Sequence, residues 1–155
     1  MQFSLDSFMK KLGAAVSLIG GLIGLIAIIW VAIHPRVPGH WILTNQTEVT
    51  TDPKYKGVVV TYDIFLMQNG TTLTGSGERI TESGTSLPTG ARTHVDISGS
   101  VGLTSIDAMF QEHGTLRLST GALYLARKTD GSWVGTFESD VADSSGSSSI
   151  KRKEH

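Results

Sequence analysis

The sequence predicts an all-β fold, a small antiparallel up-and-down barrel of about eight strands, preceded by one N-terminal transmembrane helix. Three observations predict it. Leu12 to Ile33 is an unbroken run of 22 residues without a charge. After Pro38 the apolar spacing changes from helical to strict alternation, the period of a half-buried strand. The remainder is rich in Gly, Thr and Ser and carries Asn69-Gly70 and Asp130-Gly131, dipeptides that close tight hairpins.

Composition sets the outer bounds. Thirteen Lys and Arg against fourteen Asp and Glu give a net charge of −1, which offers no electrostatic footprint for a nucleic-acid polymer. The absence of cysteine excludes disulfides, thiolate metal sites and a cysteine nucleophile. Beyond the apolar run there is room for one soluble domain of roughly 110–120 residues, enough for a single core.

Four segments follow in order: a short amphipathic segment 1–11, a transmembrane helix 12–33, a linker 34–38 and a β-barrel domain 39–153. In the first, Leu5, Phe8, Met9 and Leu12 repeat at i, i+3, i+4 and i+7, the spacing of a helix lying on a lipid surface. As a helix, the second spans roughly 33 Å, about the thickness of a bilayer's hydrocarbon core. Its four glycines would penalise a water-exposed helix. A cleaved signal is the rival reading, with Lys10 and Lys11 as its basic region. The run is longer than such a signal needs, and Val31-Ala32-Ile33 is not a small-x-small cleavage site. Trp30 and Trp41 flank the span's end as interfacial indoles do. Gly20 and Gly24 form a G-x-x-x-G face that predicts helix–helix contact and a homo-oligomer. The expected location is therefore a membrane, crossed once, with a bacterial inner membrane as the expected bilayer partner. Lys10 and Lys11 lean the barrel towards the outside.

Strand signals then run in series. Trp41, Leu43, Asn45, Thr47 and Val49 share one face of the first strand. Val58–Gln68 follows, with Val58, Val60, Tyr62, Ile64 and Leu66 on one side. Thr71–Glu82 returns after Asn69-Gly70, and Gly75 and Gly77 within it mark a bend or a close backbone approach. Thr93–Val101, Leu103–His113, Thr115–Lys128 and Ser132–Val141 continue the series. The eighth strand is Ser147–Lys153, although the serines from Ser144 to Ser149 read equally as a linker. Eight consecutive antiparallel strands favour closure, because closure removes exposed edges; a sandwich is the alternative.

Gly39-His40-Trp41 on the first strand and Lys151, Arg152 and Lys153 on the last resemble the lipocalin-type (calycin) barrels. That resemblance implies that one of these basic residues packs on Trp41. The C-terminal helix of lipocalins has no counterpart, so an avidin-like closure is also open. The order of membrane segment and barrel resembles the barrel effectors of bacterial CBASS antiphage systems. Those carry two membrane helices where this chain has one. This second resemblance implies sensing of a cyclic nucleotide and places the barrel in the cytoplasm, against the charge lean.

No catalytic constellation appears, and the expectation is a protein that is not an enzyme and needs no cofactor. The five histidines form no close metal-ligand pair, and His94-x-Asp96 supplies only two ligands on one strand face. No G-x-S-x-G elbow is present. What remains is binding. Tyr62, Tyr124 and Trp133, with Phe137, are the expected lining of a cup, and Arg79 and Arg117 its cationic handles for a small anionic ligand. Arg79 alternates with Leu73, Gly75 and Gly77; if Leu73 points inward, so does Arg79, which then needs a partner. The function expected is a membrane-anchored binding module that senses such a ligand and acts through oligomerisation. The alternative is a structural or envelope protein-interaction module whose barrel is packed throughout.

Overall fold

The computed structural model describes residues 35–115 and 117–153, together with Gly21, Ile23 and Gly24. The chain divides into two compact units, Met1–His34 and Pro35–His155. Gly21, Ile23 and Gly24 are helical; the remainder of the transmembrane helix expected in the first unit, and Gly20 of the expected Gly20/Gly24 contact, lie outside the described residues. Among the described residues no helix is long and apolar enough to cross a membrane.

The second unit is a closed antiparallel barrel. Its strands are β1 (Gly39–Val49), β2 (Val59–Asn69), β3 (Thr72–Glu82), β4 (Thr85–Ser86), β5 (His94–Val101), β6 (Ser105–His113), β7 (Leu118–Arg127), β8 (Trp133–Ser139) and β9 (Ser144–Arg152). Each long strand pairs with the next, and β1 pairs with both β2 and β9, which closes the ring. The two-residue β4 pairs only with the end of β3. Up-and-down order with short turns is the arrangement that alternating patterns and hairpin dipeptides dictate, and closure leaves no long edge unpaired.

The serine-rich segment is strand and not linker. Ser144–Arg152 pairs along both sides, with Ser144 opposite Ser139 on β8 and Gly146 opposite Thr47 on β1. Small residues suit this strand because the neighbouring backbone crowds it. A Cβ on Gly146 would fall within contact distance of the Gln46 carbonyl. Local preference disfavours such a strand; pairing on both sides overrides it.

Alternation assigns the two faces. Trp41, Leu43, Asn45 and Thr47 of β1 are buried, as are Tyr62, Ile64 and Leu66 of β2. Gly77 on β3 marks a close approach: a side chain there would strike the Asp63 carbonyl and Ile64 on β2.

The barrel is closed at one end and open at the other. At the end where β1 starts, residues 35–38 lead into the barrel, and Val37 is completely buried in the main apolar cluster. The Val37 amide donates to Gln68 Oε1 at 3.0 Å, and its carbonyl accepts from Trp41 Nε1 at 2.6 Å. Arg152, directly opposite Trp41 on β9, lays its guanidinium over the indole at 4.9 Å. Of the three basic residues expected to cover Trp41, Arg152 is the one that does. At the other end the interior turns polar.

Candidate ligand-binding site

The polar end is assembled from strand termini that the up-and-down order brings together. The last residues of β1, β3, β6 and β8 meet the first residues of β2, β7 and β9. Here Asn45, Val60, Tyr62, Phe110 and Phe137 enclose an inner chamber of about 80 Å³. It opens into a wider vestibule of about 410 Å³ lined by Thr93, Thr115, Arg117 and Ser119. Tyr55, Arg79, Glu82, Glu112 and Val141 border both spaces. Tyr55 arrives on a 3-10 turn, Pro53–Tyr55, whose entry is capped by the Asp52 carboxylate accepting from the Lys54 amide at 3.1 Å.

Glu112 is the centre of this cup. It sits on the β6 face that also carries Ile106, Ala108 and Phe110, so alternation forces a carboxylate into the interior. A buried carboxylate requires partners, and it has three. Tyr62 donates its hydroxyl to Oε2 at 3.0 Å, Thr93 donates its hydroxyl to Oε1, and the Arg79 Nε lies 3.0 Å from Oε1. Arg79 therefore faces inward beside its charge partner, as its alternation with buried Leu73 requires. The Nε–H is not directed along that short distance. Among the described residues it is the one buried side-chain polar atom without a hydrogen bond.

A bulge adds the second acid. Tyr62 pairs with Arg79 and Thr61 with Thr81, which leaves Ile80 as an extra residue on β3. Without it Arg79 and Glu82, three residues apart, would face opposite sides of the sheet; the extra residue turns both inward. Glu82 Oε2 then lies 3.7 Å from Arg79 Nη1, an ion pair beyond hydrogen-bonding distance.

Burial, reinforced by the neighbouring Glu112 charge, holds the Tyr62 phenol well above its ordinary pKa. In the unfolded chain that phenol ionises near pH 10, at roughly its reference value. A raised folded pKa contributes stability that is complete below the unfolded value and is lost as pH rises towards the folded one. Tyr62 is thus expected to add a fall of about 1.4 kcal/mol per pH unit above pH ~10. Denaturant titrations at pH 9 to 11 should show Tyr62→Phe less steep than wild type over that interval. Equal slopes would refute the assignment.

The predicted site residues separate into three groups. Tyr62 and Arg79 lie in the cup, and Phe137 lines its inner chamber. Arg117 borders the vestibule, 56% exposed, with Nε donating to Ser119 Oγ at 3.4 Å. Tyr124 and Trp133 do not belong to the cup. Tyr124 is on the outer surface, because Leu123 and Leu125 on either side take the interior positions of β7. Trp133 points inward but at the closed end, paired with Ile150. Sequence reasoning missed Glu112, Glu82, Thr93 and Tyr55 as cup residues. For Glu112 the signal was present: an acid in register with three apolar residues.

A second polar cluster lies outside the barrel. Cross-strand pairing sets His113 opposite His94, and both rings reach Asp96, at 2.9 and 3.1 Å from Nε2. The hydrogen bond from His113 is the main cause that holds the Asp96 carboxyl below its usual range, followed by that from His94. Among the described residues no group of three His, Cys, Asp or Glu is arranged to hold a metal ion.

No protein-family model matches this chain. Neither curated proteins nor solved structures yield a match.

Proposed function

We propose that this chain is a membrane-tethered, non-catalytic binding module whose barrel takes up a small molecule bearing an anionic group. The observation that carries the reading is the cup. The interior is packed with apolar side chains through the closed end, yet at the open end it keeps space around Arg79, a half-buried arginine whose buried Nε–H is unsatisfied. An unsatisfied buried donor costs stability, and a ligand acceptor would relieve that cost. Arg117 at the vestibule supplies a second cation, and the aromatic rings of Phe110, Phe137 and Tyr62 supply contact area. Gly39-x-Trp41 with Arg152 stacked on the indole supports placing the barrel with the lipocalin-type group. The uncharged run of residues 12–33 supports tethering to a bilayer, and Gly20/Gly24 supports signalling by assembly in it. A CBASS-type effector answering to a cyclic nucleotide is the most specific form of this reading.

The test is a thermal-shift screen of the full-length chain in detergent against nucleotides, cyclic nucleotides, carboxylic acids and amino acids. Mass action predicts a stabilisation of about 2.7 kcal/mol at a hundred times Kd. A cyclic-nucleotide hit selects the effector form. Stability unmoved across the whole panel refutes ligand binding and leaves the packed structural module.

A further inference from the structure

We propose that the ligand is a zwitterion, a small apolar α-amino acid. This rests on the cup being a binding site and specifies what enters it. Charge balance is the first argument. The walls bring two arginines, Arg79 and Arg117, against two carboxylates, Glu82 and Glu112. A net anion entering such a site gains from the arginines and is repelled by the acids, whereas a ligand carrying both signs gains from each.

The acids are not equivalent, and that sets the ligand's polarity. Glu112 already accepts from Tyr62 and Thr93 and lies against Arg79. Glu82 has its 3.7 Å ion pair to Arg79 and a side chain 43% exposed to the mouth of the cup. Glu82 is therefore the acceptor with capacity for an ammonium group. The guanidiniums of Arg79 and Arg117 are the donors for a carboxylate. Glu82 and both arginines line the same vestibule, and an α-amino acid carries its two charged groups on one carbon.

The inner chamber decides the third group. Val60, Phe110 and Phe137 contribute hydrocarbon to a space of about 80 Å³ below the ionic ring. Apolar walls of this kind favour an apolar group on the ligand. A branched aliphatic side chain such as that of leucine complements this hydrocarbon lining.

Calorimetric titration of the full-length chain in detergent with three probes of one skeleton tests the proposal. The probes are L-leucine, 4-methylpentanoate, which lacks the ammonium, and isoamylamine, which lacks the carboxylate. Leucine is expected to bind at least tenfold tighter than either. Glu82→Gln should erase its advantage over 4-methylpentanoate while leaving the affinity for 4-methylpentanoate unchanged or improved, a split that mere unfolding would not produce. Equal binding of leucine and 4-methylpentanoate to the wild-type chain overturns the zwitterion and leaves the cup as an anion site. No binding of any of the three, alongside a hit elsewhere in the thermal-shift screen, overturns the amino-acid class alone. No binding in either experiment overturns both readings.

Discussion

Arg79→Met is expected to cost about 3 kcal/mol of folding stability, and adding Glu112→Leu to restore more than half of it. The single change leaves Glu112, only 11% exposed, with two neutral hydroxyl donors and no countercharge. Stranding a buried charge costs more than the pair itself contributes, because desolvation is no longer offset. Replacing both partners by apolar groups of similar volume removes the charge along with its need. Recovery is expected to be incomplete, since the Tyr62 and Thr93 hydroxyls then lose their acceptor. Urea denaturation of the four proteins of this cycle at neutral pH measures both quantities. A single-mutant cost below about 0.5 kcal/mol would place the pair with solvent-exposed ion pairs and remove it as the organising feature of the cup. If the double variant is the more stable protein but no longer responds to any ligand, the charges are there for binding.

Trp41→Ala is expected to be the more damaging change, at about 3–5 kcal/mol. The indole is 3% exposed, holds the Val37 carbonyl through its N–H and supports Arg152 on its face. Alanine would leave a cavity at the closed end and free the segment that carries Val37. Arg152→Leu should cost far less, about 0.5–1 kcal/mol, the range of a partly exposed cation–π contact. Thermal melts of the two variants decide between them. Equal losses would mean that the guanidinium, and not the indole, closes this end.

The two experiments probe opposite ends of one barrel, and those ends were not equally legible. Trp41 is announced by its place in the alternation of β1, two residues after Gly39 and followed by Leu43 on the same face. The strand order was legible for the same reason, since each alternating segment is bounded by turn residues such as Asn69-Gly70. Arg79 was legible in part: its face follows from Leu73, so its need for a partner was evident before the partner was known. Tyr124 lies on the outer face because it alternates with buried Leu123 and Leu125, and aromatic character alone does not decide a face.

Periodicity is a property of one strand, so the sequence by itself determined the all-β class, the succession of strands and the inward face of most of them. It also tied the direction of Arg79 to that of Leu73. What only the tertiary structure decided is which strand ends face one another across the barrel. Glu112 and Tyr62 are 50 residues apart and meet through closure. Glu82 turns inward because Ile80 is bulged out of the ladder with β2, an event that depends on pairing and leaves no mark on the local pattern. The serine-rich β9 is a strand only because β1 and β8 offer it hydrogen bonds on both sides. Its own side chains bury too little apolar surface to fold it alone.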